Sequence, residues 1–258
     1  MLRPFRIIPI LLIADGTLVK SAGFRRQRRI CIGDPANSLR IFNELEVDEL
    51  FLLDIDASRF GRSPNFELLG QIASECFMPL AYGGAITSLH DAEQIVACGI
   101  EKVVLNSGAI DRPSLITEIS TSLGSQAVVV AADYKVYNGV AYLFDHRKQK
   151  RVRSDVSLTE WLKRAEDLGA GELLVTAVDH EASWQGPDLQ TLGYISNDRN
   201  IPVVYQGGIG KIDHIRQLRD TSILSGVAVG SMAVFSSMGG GVLVHLPAEV
   251  TGLLNTAR

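Results

Sequence analysis

The 258 residues include only three cysteines, Cys31, Cys76 and Cys98, far apart and without a C-x-x-C pair. Such usage argues against a disulfide scaffold or zinc knuckle and for thiols in a reducing compartment, with the cytoplasm as the expected location. No run reaches the roughly 20 apolar residues of a membrane helix, since even residues 223–235 are short and built from small side chains. The arginine-led stretch RIIPILLI superficially resembles a signal peptide, but Pro9 interrupts it, Asp15 ends it and no small-x-small site follows. It reads as a buried strand. Neither GxGxxG nor GxxxxGK[ST] occurs, so nicotinamide and P-loop chemistry are not expected, and no cofactor or metal is called for. Positive charge is also short: 25 Lys and Arg against 29 Asp and Glu give a net charge of −4, which excludes a broad nucleic-acid-binding field. The one basic knot is Arg25, Arg26, Arg28 and Arg29.

Apolar material is plentiful at 46%, enough for one large core in a single domain spanning 1–258. Eight short, nearly continuous apolar runs stand at 6–13, 49–55, 78–84, 102–108, 127–133, 172–179, 201–208 and 226–231. Parallel strands covered on both faces look like this, and eight of them predict an α/β fold, the (β/α)8 TIM barrel. Helix candidates lie between and after them at 34–46, 64–76, 88–98, 112–121, 158–169, 188–197, 211–219 and 242–253. Asp111, two residues before Pro113, reads as one start; Ser157 with Glu160 reads as a capping box. The long segment 134–153 carries Asn138–Gly139 between alternating residues, predicting a β-hairpin excursion after the fifth strand.

YGGAI at 82–86 matches QGGIG at 206–210, and VVLNSGAI at 103–110 matches VAVGSMAV at 227–234, both offset by 124. A repeat of half the chain predicts two duplicated half-barrels. Gly83, Gly84, Asn106 and Ser107 then mirror Gly207, Gly208, Gly230 and Ser231 at strand ends. Glycine there lets backbone amides approach an anion, so the pattern predicts two phosphate cradles on opposite sides of the mouth, suited to a small molecule phosphorylated at both ends. Tight rim turns are the alternative. Asp133 ends a strand at the same face and is the candidate general acid or base, or else an Asx turn.

At the other end, Arg6, Glu49, Lys102 and Glu172 open four strands. The period of two puts them on the faces of Ile8, Phe51, Val104 and Leu174, so all four point into the bottom of the barrel. Two acids and two bases predict a neutral ring, either a plug or a gate for a small polar molecule.

These features resemble the cyclase subunit of imidazole glycerol phosphate synthase, the barrel partner of a glutaminase in histidine biosynthesis. The resemblance spans almost the whole chain and is carried by ADGTLVK (14–20), GDPANSLRIFNELEVDELFLLDIDAS (33–58), YGGAI (82–86), RPSLITEI (112–119), GSQAVVVAAD (124–133), GAGELLVT (169–176) and QGGIGK (206–211). It implies that a glutaminase docks at the N-terminal face, that ammonia crosses a gate of Arg6, Glu49, Lys102 and Glu172, and that it attacks a doubly phosphorylated ribulosyl aminoimidazole compound. It further implies a flexible first-loop lysine at Lys20, phosphate contacts at Asn106, Ser107, Gly208, Gly230 and Ser231, and a catalytic aspartate at Asp133.

The departures matter equally. The family's first-strand catalytic aspartate falls on Leu12, which cannot exchange protons, and a third-strand glycine becomes Ala85. The sixth loop reads EASWQGPD, bringing Glu181 and Trp184 near the mouth residue Thr176. The route for ammonia is thus better kept than the cyclisation chemistry. This combination resembles divergent barrel subunits found beside a glutaminase and an ATP-dependent sugar amidotransferase in surface-polysaccharide pathways that make acetamidino sugars. A true cyclase and a non-catalytic phosphate-binding scaffold are the alternatives.

Overall fold

In the computed structural model, residues 5–152, 156–195, 199–221 and 224–256 are described. Within them run β1 (Arg6–Ala14), β2 (Thr17–Ala22), β3 (Arg25–Gly33), β4 (Leu50–Asp54), β5 (Leu80–Gly83), β6 (Lys102–Leu105), β7 (Val128–Tyr137), β8 (Val140–Asp145), β9 (Lys150–Arg151), β10 (Glu172–Ala177), β11 (Val203–Gln206) and β12 (Gly226–Val229). Eight of these pair in parallel in the order β1, β4, β5, β6, β7, β10, β11, β12, and β12 returns to β1. The barrel is closed, which removes the sheet edges.

The strand period of two divides the core into two shells. Ile8, Ile10, Phe51, Ala81, Val104, Val129, Ala131, Leu174, Val204 and Ala228 pack together inside the barrel. Their outward neighbours, including Leu52, Val103, Val130 and Leu173, pack against helix residues such as Leu39, Phe42, Leu69, Ile95, Ile116, Trp161 and Ile215. A run apolar at every position is therefore buried on both faces, as a parallel barrel strand requires.

The helix starts follow local chemistry. Asp34 accepts from the Asn37 amide at 3.1 Å with Pro35 behind it, and Ser157 with Glu160 makes the expected capping box. Three expectations shift. Asp111 ends the short helix Ser107–Asp111, while Pro113 stands at the start of Ser114–Leu123 without a side-chain cap. The candidate at 188–197 contracts to Leu189–Leu192, whose first turn Asp188 caps; residues 196–197 lie outside the described residues. The last candidate begins late: Val242 bridges Phe235, and the helix Ala248–Thr256 starts only after Pro247, which presets the backbone for a first turn.

The hairpin excursion is present. β7 runs past the barrel rim and pairs antiparallel with β8 through Asn138 and Gly139, both in the left-handed region at φ 51° and 80°. A second excursion was not legible. β2 and β3 form an antiparallel hairpin on β1, turning at Gly23 and Phe24. The basic knot falls on β3, where the side chains of Arg26 and Arg28 lie outside the described residues.

Candidate active site at the barrel mouth

The C-terminal ends of the strands surround a solvent-open cavity of about 1030 Å³. Gly83, Gly84, Asn106, Ser107, Asp133, Thr176, Glu181 and Gln206 all line it, as does Leu12. The half-barrel repeat is visible in three dimensions. Asn106 precedes the short helix Ser107–Asp111, and Gly230, 124 residues later, precedes Ser231–Val234. Gly207, Gly208, Gly230 and Ser231 line a separate smaller cavity of about 280 Å³ with Glu181 and Trp184. The two predicted cradles are thus two places at one rim.

Glycine is required at both. At Gly84, φ +156°, a Cβ would lie 2.7 Å from the Tyr82 hydroxyl and the Asp54 Cβ. At Gly208, φ +77°, it would overlap the Gly186 carbonyl. Ala85, where the resemblance expects glycine, takes φ 50° while its amide donates to Ser58 Oγ at 3.0 Å. Its methyl therefore sits on a strained backbone beside the first cradle.

Asp133 is 8% exposed, and Asn106 Nδ2 donates to its Oδ2 at 2.8 Å. Asn106 Oδ1 is buried and has no hydrogen-bond partner among the described residues. Thr176 Oγ1 donates to Gln206 Oε1 at 3.2 Å on the same floor. Leu12 lines the mouth with an apolar side chain at the first strand, and the exposed Asp15 pairs with Arg62. Asp54 accepts from the amides of Asp56 and Ala57 at 3.0 and 2.9 Å, although burial still pushes its carboxyl up.

Lys20 and Glu181, 161 residues apart in sequence, form a buried ion pair. Lys20 also donates to the Ser21 carbonyl at 3.0 Å, and the Gly23 amide donates to Glu181 Oε2 at 2.6 Å. Lys20 is therefore on a strand and fastened, where the resemblance implied a flexible loop. Burial lowers its amine to about 7. The pair lies at the second cradle, with Lys20 Cε 3.4 Å from where a Gly230 Cβ would be.

At the opposite end, the ring is closed. Arg6 bonds to Glu49 at 2.5 Å and to Glu172, and Lys102 reaches Glu49 at 2.7 Å and Glu172 at 2.8 Å. The carboxylates are 3% and 5% exposed and both cations 21%, so the acids face the interior and the bases the outside. Burial opposes the Arg6 charge, but Glu172 and Glu49 outweigh it and raise the guanidinium's affinity for its proton. Burial pushes Glu49 up, against the pull of Lys102. Gly226 sits beside Arg6 at this level, where a Cβ would come within 2.9 Å of the Arg6 carbonyl.

One mouth residue, His146, escaped the sequence reading, and another, Arg29, entered it only as a member of the basic knot. Arg29 clamps the buried Asp56 with bonds of 2.6 and 2.7 Å and lines the cavity. His146, from the turn after β8, also lines it and brings Nδ1 to 3.7 Å from Asp133 Oδ2. Neither bears a spacing signal, because each reaches the site through a hairpin that folds back over the rim. Among the described residues, no group of three or more His, Cys, Asp or Glu is arranged to hold a metal.

The histidine biosynthesis protein family matches residues 6–238. A Leptospira interrogans protein provisionally named imidazole glycerol phosphate synthase subunit HisF is 40% identical over 249 residues, covering 96% of each chain. A Pseudomonas aeruginosa protein provisionally named subunit hisF2 is 39% identical over 244 residues, 94% of this chain and 95% of its own. The imidazole glycerol phosphate synthase subunit HisF of Exiguobacterium sibiricum is 38% identical over 212 residues, 82% of this chain and 84% of its own. The fold, the site and these relatives together make this chain a member of the histidine biosynthesis protein family, a cyclase-like (β/α)8 barrel of the imidazole glycerol phosphate synthase kind.

Proposed function

We propose that this barrel is the acceptor-side subunit of a glutamine amidotransferase complex in the cytoplasm. A glutaminase docks on the N-terminal face, and ammonia passes the ring of Arg6, Glu49, Lys102 and Glu172 to reach the mouth. The observation that carries this reading is the closed, alternating ring combined with Leu12. A plug needs no charge, and fully buried charges cost more than hydrocarbon of the same volume. A ring whose members neutralise one another can open for a small neutral molecule without leaving a charge alone. Above it, Ala81, Ala131 and Ala228 keep part of the interior lining small.

The mouth suits a phosphorylated small molecule held at the two glycine-lined cradles. Because Leu12 breaks the two-carboxylate arrangement, the final acceptor in this reading is a sugar in a surface-polysaccharide pathway, aminated with an ATP-dependent sugar amidotransferase to an acetamidino group. One observation favours the histidine-pathway cyclase as a second reading: relatives across more than four-fifths of the chain are named imidazole glycerol phosphate synthase subunits.

The partner claim is tested by titrating the barrel with the glutaminase encoded beside it and following both association and glutamine hydrolysis. Expected is a stoichiometric complex with hydrolysis stimulated by the barrel. Lack of association with any neighbouring glutaminase would overturn the reading. Phosphate-soaked crystals with open access to the mouth should show an anion at each cradle; empty density at both would remove the phosphorylated ligand.

A further inference from the structure

With Leu12 on the first strand, the other strand carboxylate lining the cavity is Asp54, whose Oδ1 is taken by the amides of Asp56 and Ala57, and the cavity wall supplies Asp133 with a further proton-handling group from elsewhere. His146 lies in the turn between β8 and β9. That turn is fixed: the Arg147 amide and Nε donate to Asp145 Oδ1 at 2.9 and 3.1 Å, Arg147 Nη2 donates to Asp111 Oδ1 at 2.9 Å, and Gln149 Nε2 donates to the His146 carbonyl at 2.7 Å. The imidazole is thereby suspended over the mouth, 21% exposed, with Nδ1 3.7 Å from Asp133 Oδ2. The carboxylate is oriented from below by Asn106 Nδ2 at 2.8 Å. Asn106 Oδ1, buried and without a partner among the described residues, offers an acceptor beside them for an N–H.

We propose that His146 is a catalytic residue of this mouth, paired with Asp133 and performing the proton transfer that the Leu12 position cannot. The assignment deepens the second reading above, in which the mouth itself aminates a phosphorylated carbonyl compound, and rests on it for the nucleophile and the substrate class. A carboxylate beside one imidazole nitrogen fixes the tautomer, places that N–H toward itself, and leaves the other nitrogen free to take a proton. A separation of 3.7 Å is looser than the working hydrogen bond, as is common before a substrate tightens the site.

The step balances without an external reagent. Ammonia's nitrogen bonds to the carbonyl carbon of a phosphorylated substrate as the C=O π pair moves to oxygen. One N–H proton passes to His146 Nε2, while the Nδ1–H remains turned to Asp133. The imidazolium then returns one proton to the oxygen, giving a carbinolamine and neutral His146. Asn106 Oδ1 accepts another ammonia N–H and holds the nitrogen near the pair.

The test uses the whole chain, the doubly phosphorylated ribulosyl aminoimidazole compound as probe, and ammonium in place of glutamine, so neither a glutaminase nor the ring limits the rate. The variants are His146→Ala, His146→Asn, which retains an amide near Nδ1 but transfers no proton, and Leu12→Asp in both the wild-type and His146→Ala backgrounds. Expected are measurable turnover by the wild type, a loss of about 100-fold or more in kcat for both His146 variants, and at least about tenfold recovery when Leu12→Asp is added to His146→Ala. Rescue by a carboxylate on the opposite wall would not follow if His146 only supported the turn. No turnover by the wild type, rates for both His146 variants within about threefold of it, or a loss that Leu12→Asp leaves unrepaired would overturn the assignment. These outcomes are independent of glutaminase docking, which is read separately by association.

Discussion

Replacing Lys102 with alanine removes two of the four contacts that close the ring, those to Glu49 at 2.7 Å and Glu172 at 2.8 Å. The two acids then share Arg6 alone, and the ring passes from neutral to a net charge of −1. Both acids are nearly buried, so the partner left behind cannot regain its hydration. Breaking a buried pair in this way costs about 3–5 kcal/mol. The one-fifth exposure of Lys102 and the remaining Arg6 contacts favour the low end, about 3 kcal/mol. For a chain of this size that is a fall of roughly 6–12 °C in Tm.

The pH dependence has a definite sign. Burial already raises the Glu49 carboxyl, and Lys102 opposes that rise. Without Lys102 the folded-state value moves further above the unfolded one, so the folded protein binds more protons through that window. Stability then falls as pH rises across it, and the deficit of the variant is smaller at about pH 5 than at about pH 8. Denaturant titrations of both proteins at the two values check this. A deficit below about 0.5 kcal/mol, or one equal at both pH values, would refute the picture of a tightly coupled buried ring.

Three further outcomes are expected. Gly208→Ala places a methyl group into the Gly186 carbonyl at a positive φ, and thermal melting should reveal a loss of about 2 kcal/mol or more. Ser157→Ala removes the hydroxyl that accepts the Glu160 amide at 3.3 Å, and chemical denaturation should show a loss of about 1 kcal/mol with activity unchanged. Glu181→Ala frees the Gly23 amide and removes the partner of buried Lys20; hydrogen exchange at Gly23 should accelerate at least about tenfold, and an unchanged rate would show that the β2–β3 hairpin is held by other contacts.

The sequence reveals what depends on short-range periodicity and conceals what depends on a folded-back loop. Arg6, Glu49, Lys102 and Glu172 can be placed on one level because a strand alternates faces and each stands at the start of its strand, Glu49 just ahead of β4, two residues before an interior apolar side chain. Asn138–Gly139 identifies its hairpin through backbone chemistry alone, and Ser157 with Glu160 identifies a helix start. By contrast, β3 (Arg25–Gly33) opens on RRQRR, which shows no apolar alternation that would mark a strand. His146 meets Asp133 only because Arg147 fastens the turn to Asp145 and Asp111, and Glu181 meets Lys20 only after the barrel closes. The final helix is delayed by Pro247 and by the Phe235–Val242 bridge, a tertiary constraint that the apolar pattern of 242–253 does not express.

The most direct test of ammonia passage compares two nitrogen sources in one assembly. The barrel, its neighbouring glutaminase and the final amidotransferase are combined, and product formation is measured with glutamine and with ammonium, using wild type and a folded Lys102→Ala variant. Conduction through the ring predicts that the variant loses glutamine-dependent product at least about tenfold while glutamine hydrolysis continues and ammonium-dependent product is retained. Equal glutamine-dependent rates for the two proteins would contradict it and leave the four charges as a structural plug.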